Sequence, residues 1–121
     1  MNMNKLIAIV MATMLFFVSQ SFVQQAAQSK YAEIKIKVSA QCETCKETIE
    51  KALAYEPGVK SSNLDLKTMY VTVLYNPKKT NPDKIRKAIS MAGYDADNVP
   101  ANEEAYHKLP NCCKKGGHHH Q

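Results

Sequence analysis

The chain has 121 residues, with 16 Lys and Arg against 11 Asp and Glu, 45% hydrophobic residues, four Cys and no Trp. This length accommodates one small domain with short appendages and excludes a catalytic barrel or a two-domain enzyme. The net charge of +5 is spread along the chain without an Arg cluster. We therefore expect neither nucleic acid nor an anionic membrane surface as a partner.

The N-terminus is typical of a Sec-type signal peptide. A single cation, Lys5, precedes an apolar run over residues 6–18, and polar residues follow. The run is shorter than the ~20 apolar residues that span a bilayer but suits a signal-peptide core; an uncleaved membrane anchor is the alternative. We expect residues 1–27 to be a leader, cleaved between about residues 21 and 28. The mature protein is then exported, to the periplasm or an equivalent space, and is not embedded in the membrane.

The remaining chain changes from strand to helix periodicity and back. Ile34, Ile36 and Val38 alternate with charged residues, which indicates a half-buried strand, and apolar residues then recur at helical spacing from Cys45 to Leu53. The predicted elements, in chain order, are a strand over 31–38, a helix over 43–55, strands over 59–66 and 69–75 joined tightly at Lys67-Thr68, a helix opened by Asn81-Pro82-Asp83 and ended by Gly93, and a short strand over 94–99.

This β-α-β-β-α-β order predicts a ferredoxin-like α+β sandwich, in which two helices cover one face of an antiparallel sheet. We expect this domain over residues 30–99 and a tail over 100–121, with a short helix within 101–109. A domain of about 70 residues buries only ~60% of its unfolded surface. It has no obvious cavity for an organic substrate, so we expect a binding protein and not an enzyme.

The cysteines form two close pairs, Cys42/Cys45 and Cys112/Cys113. Four cysteines in an exported protein ordinarily suggest disulfides, but closing a short loop stabilises least. The paired spacing therefore favours chelation or reversible redox chemistry. Cys42 and Cys45 lie where the first strand gives way to the first helix, whose free N–H groups and positive end stabilise thiolates. Two such sulfurs favour thiophilic ions such as Cu(I) and Zn(II) over Mg or Ca.

With its flanking segments, this pair resembles the heavy-metal-associated (HMA) domain family of small copper chaperones, modules of metal-transporting P-type ATPases and periplasmic mercuric-ion binding proteins. The resemblance implies a ferredoxin-like fold in which Cys42 and Cys45 bind one soft ion at the surface and pass it on by ligand exchange. The implied recipient is a metal-transporting membrane protein or an efflux component, and Tyr94 is a possible neighbour of the ion. The segments that carry the resemblance are IKIKVSAQCETCKETIEKAL (34–53), PGV (57–59), YVTVLYNP (70–77) and IRKAISMAGYDA (85–96).

The loop departs from the family's usual Gly-Met-x-Cys-x-x-Cys pattern. Ala40 stands where relatives have Met, and no Asp immediately precedes Cys42, whereas zinc- and cadmium-preferring relatives often have one there. We therefore favour Cu(I) or Hg(II) as the bound ion, with Zn(II) as a further candidate.

The end of the tail is rich in cysteine and histidine, which is typical of metal binding. We expect Cys112 and Cys113 to supply additional ligands, folding back to the Cys42/Cys45 site, and His118, His119 and His120 to capture Cu(II), Ni(II) or Zn(II). The alternatives are a disulfide between the adjacent cysteines and a truncated purification tag for the histidines.

Three classes of function follow from these patterns. The first is an exported metallochaperone or scavenger. The second is a thiol–disulfide oxidoreductase that uses the same CxxC, although Gln41 precedes the motif and Glu-Thr lies within it, where thioredoxin-like sites have an aromatic residue and often Gly-Pro. The third is a regulatory module of a larger efflux or mercury-resistance assembly.

Overall fold

The computed structural model describes residues 2–16 and 30–115. Its elements are α1 (Met3–Phe16), β1 (Ala32–Lys37), α2 (Glu43–Ala54), β2 (Val59–Asp65), β3 (Tyr70–Tyr75), α3 (Pro82–Met91), α4 (Glu103–His107) and a 3-10 turn (Asn111–Cys113). Helix α1 falls on the predicted leader, and the expected cleavage region lies outside the described residues. Within the described ranges, no helix is long and apolar enough to cross a bilayer.

The sheet has three antiparallel strands in the order β1-β3-β2. The central strand β3 carries two fully buried valines on one face; Val71 pairs with Ile36 of β1 and with Leu64 of β2, and Val73 pairs with Ile34. This alternation follows the period of two that the sequence predicts for half-buried strands.

Helices α2 and α3 cover the sheet and contact each other, which confirms the predicted ferredoxin-like α+β arrangement. The side chains of Ile49 and Leu53 on α2 and of Ile85 and Ile89 on α3 are fully buried. As predicted, Asn81 caps α3, since its side chain accepts a hydrogen bond of 2.9 Å from the Lys84 N–H.

The strand predicted over 94–99 is wrong in its extent. Only isolated bridges form there, between Val38 and Ala96 and between Ala96 and Val99. The cause is Asp97, whose φ of 51° turns the chain back. Its carboxylate accepts a hydrogen bond of 2.9 Å from the Lys37 N–H, so a side chain takes the place of the backbone acceptor that a continuous fourth strand would have offered to β1.

The β2–β3 connection is longer than the predicted Lys67-Thr68 turn. The Met69 N–H donates to the Asp65 carbonyl at 2.8 Å, which closes a turn over the intervening residues. Met69 adopts a left-handed φ of 62°, a conformation that costs a non-glycine residue ~1–2 kcal/mol.

Residues 100–115, the C-terminal strap, pack back onto the domain. Asn102 caps the start of helix α4, since its side chain accepts a hydrogen bond from the Ala105 N–H. Leu109 is partly buried against the core, and Cys113 is buried to 1% exposure. Gly93 makes room for this approach, because a Cβ there would lie 3.0 Å from the Ala105 carbonyl group and 3.1 Å from a Leu109 methyl-bearing carbon.

We expect Gly93→Ala to lower the free energy of unfolding by about 1–3 kcal/mol, because the position has a φ of +102° and no space for a Cβ. Urea unfolding of the reduced protein measures the change. Met91→Ala is the control, since Met91, the last residue of α3, lies two positions before Gly93 and is 56% exposed. Equal effects of the two substitutions would contradict the close approach of the strap.

Candidate metal centre

The site begins where β1 runs into α2. Cys42 is the residue that precedes the first turn of α2, with extended φ and ψ of −152° and 173°. Its sulfur lies near the N–H groups of Thr44 and Cys45, which help to lower the pKa of the thiol. Neither N–H group makes a well-aligned capping hydrogen bond to the sulfur. Unpaired N–H groups and the helix dipole both favour an anion at this position.

The Cys45 side chain points into the core, away from solvent. Its side chain is fully buried on the core face of α2, and the helix turn that carries it is clamped to β2. The Lys46 ammonium group contacts Glu50 at 2.7 Å and the Leu64 carbonyl at 2.9 Å, and Glu50 accepts from the Leu64 N–H at 2.8 Å. The CxxC pair therefore combines one partly exposed sulfur with one that is held in the core.

The strap brings the second cysteine pair to the first. The Cys42 sulfur lies 3.2 Å from that of Cys45, 3.2 Å from that of Cys112 and 3.6 Å from that of Cys113. The sulfurs of Cys112 and Cys113 are 3.9 Å apart. Four sulfur atoms from two distant segments thus meet at one point.

Cys45 and Cys113 form a disulfide, whereas Cys42 and Cys112 are free thiols. The predicted alternative of a disulfide between the adjacent Cys112 and Cys113 does not occur. A sulfur in a disulfide cannot act as a thiolate ligand, so metal binding by all four cysteines requires the reduced protein.

The two free thiols share a hydrogen bond and therefore titrate together. Burial opposes ionisation of Cys42, but its hydrogen bond with Cys112 and the neighbouring backbone N–H groups outweigh burial and lower its pKa. The pKa of Cys112 is raised, chiefly by the same hydrogen bond. Cys42 is accordingly the thiol that ionises first, and Cys112 retains the shared proton.

Tyr94 lies close to this cluster, so its role as a neighbour of the ion stays a prediction. Its side chain is fully buried, and burial raises its pKa, with the charges of Cys42 and Cys112 adding to the effect. Its hydroxyl makes no hydrogen bond of good geometry with any described residue, although the Thr48 side chain interacts with it weakly. The hydroxyl is therefore a neutral group at the edge of the sulfur cluster.

Several polar contacts that hold the strap in place were not predicted from the sequence. Ser90 donates its hydroxyl to the Pro100 carbonyl at 2.7 Å, and its own carbonyl accepts from the Asn102 N–H at 2.9 Å. Asp95 accepts from the Ala101 N–H at 2.9 Å and forms an ion pair with Lys115. No spacing rule links these residues in the sequence, because their pairing depends on how the chain turns after α3.

Among the predicted metal ligands, the cysteines are the ones that the structure brings together. Within the described residues, the only set of three or more Cys, His, Asp or Glu with ligand atoms close enough for one ion is Cys42, Cys112 and Cys113, whose sulfurs lie within 4.8 Å of one another. His118, His119 and His120 lie outside the described residues.

In a comparison with known proteins, residues 35–95 match the heavy-metal-associated domain. The chain is 39% identical over 54 residues to the copper chaperone CopZ of Staphylococcus epidermidis, which covers 45% of this chain and 79% of that protein. It is 38% identical over 55 residues to rat copper-transporting ATPase 1, covering 46% of this chain but only 4% of that protein. The structure of oxidized MerP from Ralstonia metallidurans CH34 superposes with a TM-score of 0.54 at 26% identity, over 55% of this chain and 94% of the other.

We expect the Asp95 carboxyl to titrate at a lower pH than an ordinary Asp. Burial alone would raise its pKa, but the Lys115 ammonium group and the Ala101 N–H lower it on balance. A folded pKa below the unfolded value means that this group stabilises the fold at neutral pH and that the contribution is lost as the pH falls through the folded pKa.

Carboxyl carbon NMR measures this titration. Lys115→Ala should move the Asp95 midpoint upward, whereas the control Lys114→Ala should leave it in place. If the Asp95 midpoint does not change in the Lys115→Ala variant, that result would contradict the contact between the end of the strap and the domain.

Proposed function

The chain belongs to the heavy-metal-associated domain family, and from that premise we propose that it is an exported protein that binds Cu(I) or Hg(II) through Cys42 and Cys45 and passes the ion on by ligand exchange. One observation carries the proposal: the two sulfurs lie 3.2 Å apart at the first turn of α2. Thiolates select soft ions over hard ones, and the helix start favours the thiolate form of Cys42.

The unequal burial of the two sulfurs supports a sequence of exchange. Cys45 is fully buried, whereas Cys42 is partly exposed. An incoming thiol can reach an ion from the Cys42 side, lose its proton as it binds, and leave Cys42 to take up a proton as it is displaced. No oxidation state changes in this exchange, so no oxidant or reductant is needed.

The nature of the relatives supports metal transport as the setting. One relative is a copper chaperone and another is a copper-transporting ATPase. We accordingly propose a metal-transporting membrane protein or an efflux component as the recipient of the ion. Zn(II) is the further candidate ion, since it also accepts thiolate ligands.

Export is supported by the N-terminal segment. Helix α1 exposes Leu6, Ile7 and Val10, and apolar side chains of this kind form the core that a secretion machinery binds in a leader. Removing such a helix leaves the metal site intact, because none of the four cysteines lies in α1.

We expect processing to remove α1 during export. Intact-mass spectrometry of the protein recovered from the envelope of the expressing cells should find a chain that begins between about residues 22 and 28. Introducing charge into the apolar run, for example Ile9→Lys, should block processing, whereas Asn4→Gln should not. A full-length chain held in the membrane would contradict export and favour an anchor.

The double substitution Cys42→Ser and Cys45→Ser should weaken Cu(I) binding by well over ~100-fold, since even outer-sphere partners of metal ligands contribute 10–100-fold. Competition with a chromophoric Cu(I) chelator under reducing conditions measures the change. Glu43→Gln is the matched control, because Glu43 lies between the cysteines, is exposed and leaves both sulfurs in place. Unchanged affinity in the double variant would place the metal site elsewhere.

A thiol–disulfide exchange activity is the second candidate function, and the disulfide between Cys45 and Cys113 favours it. The free thiol Cys42 has a lowered pKa and lies 3.6 Å from Cys113, within reach of that disulfide. With a small dithiol supplied as the reductant, insulin-reducing turnover by the unmodified protein that disappears in the Cys42→Ser variant would support exchange over metal transfer.

A further inference from the structure

We propose that the strap supplies two further ligands, Cys112 and Cys113, so that the reduced protein holds a soft ion between the CxxC loop and the strap and releases it only after the strap sulfurs have been displaced. This inference rests on the proposed function, because it concerns the same ion. It adds a retention element that lies beyond residues 35–95, the part that matches the heavy-metal-associated domain.

The position of the strap sulfurs is set by packing. Cys113 is 1% exposed and belongs to the same buried cluster as Cys45 and Tyr94, and Cys112 packs against that cluster. A random solvated tail would leave both thiols exposed. Here Cys113 is buried and Cys112 is partly buried, as Cys45 and Cys42 are in the first pair.

The anchors of the strap lie on the domain and not on the sulfurs. The Ser90 hydroxyl, as donor, and the Asp95 carboxylate, as acceptor, hold its first residues, and the Lys115 ion pair with Asp95 holds its end. The Lys115 N–H also donates to the Tyr106 hydroxyl at 3.0 Å. The turn that carries Cys112 and Cys113 is therefore fixed on both sides, independently of any bond between sulfurs.

The sulfur spacing is close to what a soft ion requires. A tetrahedral site with metal–sulfur bonds of about 2.3 Å places its sulfurs roughly 3.8 Å apart. The Cys42 sulfur lies 3.2 and 3.6 Å from those of Cys112 and Cys113, which are 3.9 Å from each other. Opening these three spacings by up to about 0.6 Å would therefore admit an ion among the three sulfurs. Cys45 can join as the fourth ligand only after its disulfide with Cys113 is reduced and the two sulfurs separate.

Tethering gives the strap sulfurs an advantage over free thiols. Ligands on the same chain act at an effective concentration in the millimolar range, far above that of an acceptor protein in dilute solution. The strap therefore slows loss of the ion to chance encounters. Transfer proceeds when incoming thiols displace the strap sulfurs one at a time, each incoming thiol giving up a proton and each displaced thiolate taking one up.

The competing possibility is that the strap makes Cys45 unavailable as a metal ligand. If Cys45 and Cys113 stay joined as a disulfide even under strong reductant, the strap blocks the buried half of the CxxC pair. The two possibilities predict opposite effects of removing the strap cysteines: loss of binding in the first case and gain in the second.

The test uses the full chain, purified in the processed form that cells produce and kept reduced and free of oxygen. Cd(II) is the probe of ligand number, because its thiolate charge-transfer absorption rises with each bound sulfur. The variant Cys112→Ser/Cys113→Ser should lose about half of that absorption, as a change from four thiolates to two requires. It should also release Cu(I) to a chelator at least ~10²-fold faster, the scale that a tethered second pair of ligands gives.

The controls distinguish a variant that does not fold from a variant that folds but contradicts the inference. Asn111→Ser changes an exposed residue of the same turn and should behave as the unmodified protein. Cys112→Ser alone spares the buried Cys113 and should still lose part of the Cd(II) absorption while keeping the far-ultraviolet circular dichroism of the fold.

Equal Cd(II) absorption and equal Cu(I) release in the unmodified protein and the double strap variant would overturn the inference, and so would tighter binding by the variant. Neither result would affect the proposed function. That function fails separately, if Cys42→Ser/Cys45→Ser binds Cu(I) as tightly as the unmodified protein.

Discussion

The start of α2 is the constraint on which the rest of the site depends. A helix begins with N–H groups that have no partner within the helix, and the aligned peptide dipoles make that end positive. Cys42 stands at this point; burial opposes its ionisation, but its hydrogen bond with Cys112 and the N–H groups of Cys45 and Thr44 lower the pKa of its sulfur. Every other sulfur is placed relative to it, within 3.6 Å. The position of one helix terminus thus determines where negative charge can collect and where a cation is attracted.

Holding a charged sulfur cluster at the surface of a small domain requires a rigid base. Lys46 and Glu50 join the first turns of α2 to β2, and Tyr94 fills the space below with a large, neutral, fully buried side chain. The Tyr94 hydroxyl is not strongly bonded, which is a cost for a buried polar group. A charged or small residue there would be worse, since it would add like charge or leave a void beneath the sulfurs.

The strap adds a second constraint, because ordering a tail loses conformational entropy of ~1–2 kcal/mol for each backbone residue. That loss is offset by burial of Leu109 and Cys113 and by the contacts of Ser90 and Asp95. Each of these contacts is modest alone. Together they turn a terminal segment into part of the site, and Gly93 permits it by presenting no Cβ to the approaching backbone.

The periodic elements could be predicted from the sequence because their signals are local. The alternation in β1, the helical spacing in α2 and the Asn81 cap of α3 all depend on residues within a few positions of one another. The CxxC pair belongs to the same class, since its two sulfurs share one turn. The prediction of the final strand was wrong because the Asp97 carboxylate takes the hydrogen bond of the Lys37 N–H in β1. A hydrophobic pattern does not indicate such a contact.

The sequence by itself determined the fold class, the position of Cys42 and Cys45 at a helix start, and the presence of a second cysteine pair. Only the tertiary structure decided that the second pair reaches the first. Nearly 70 positions separate Cys45 from Cys113 along the chain, and their meeting depends on the turn after α3, the clearance at Gly93 and the contacts of Asp95. Those features act through space, so the composition of the tail suggested that it folds back but could not show which contacts place it there.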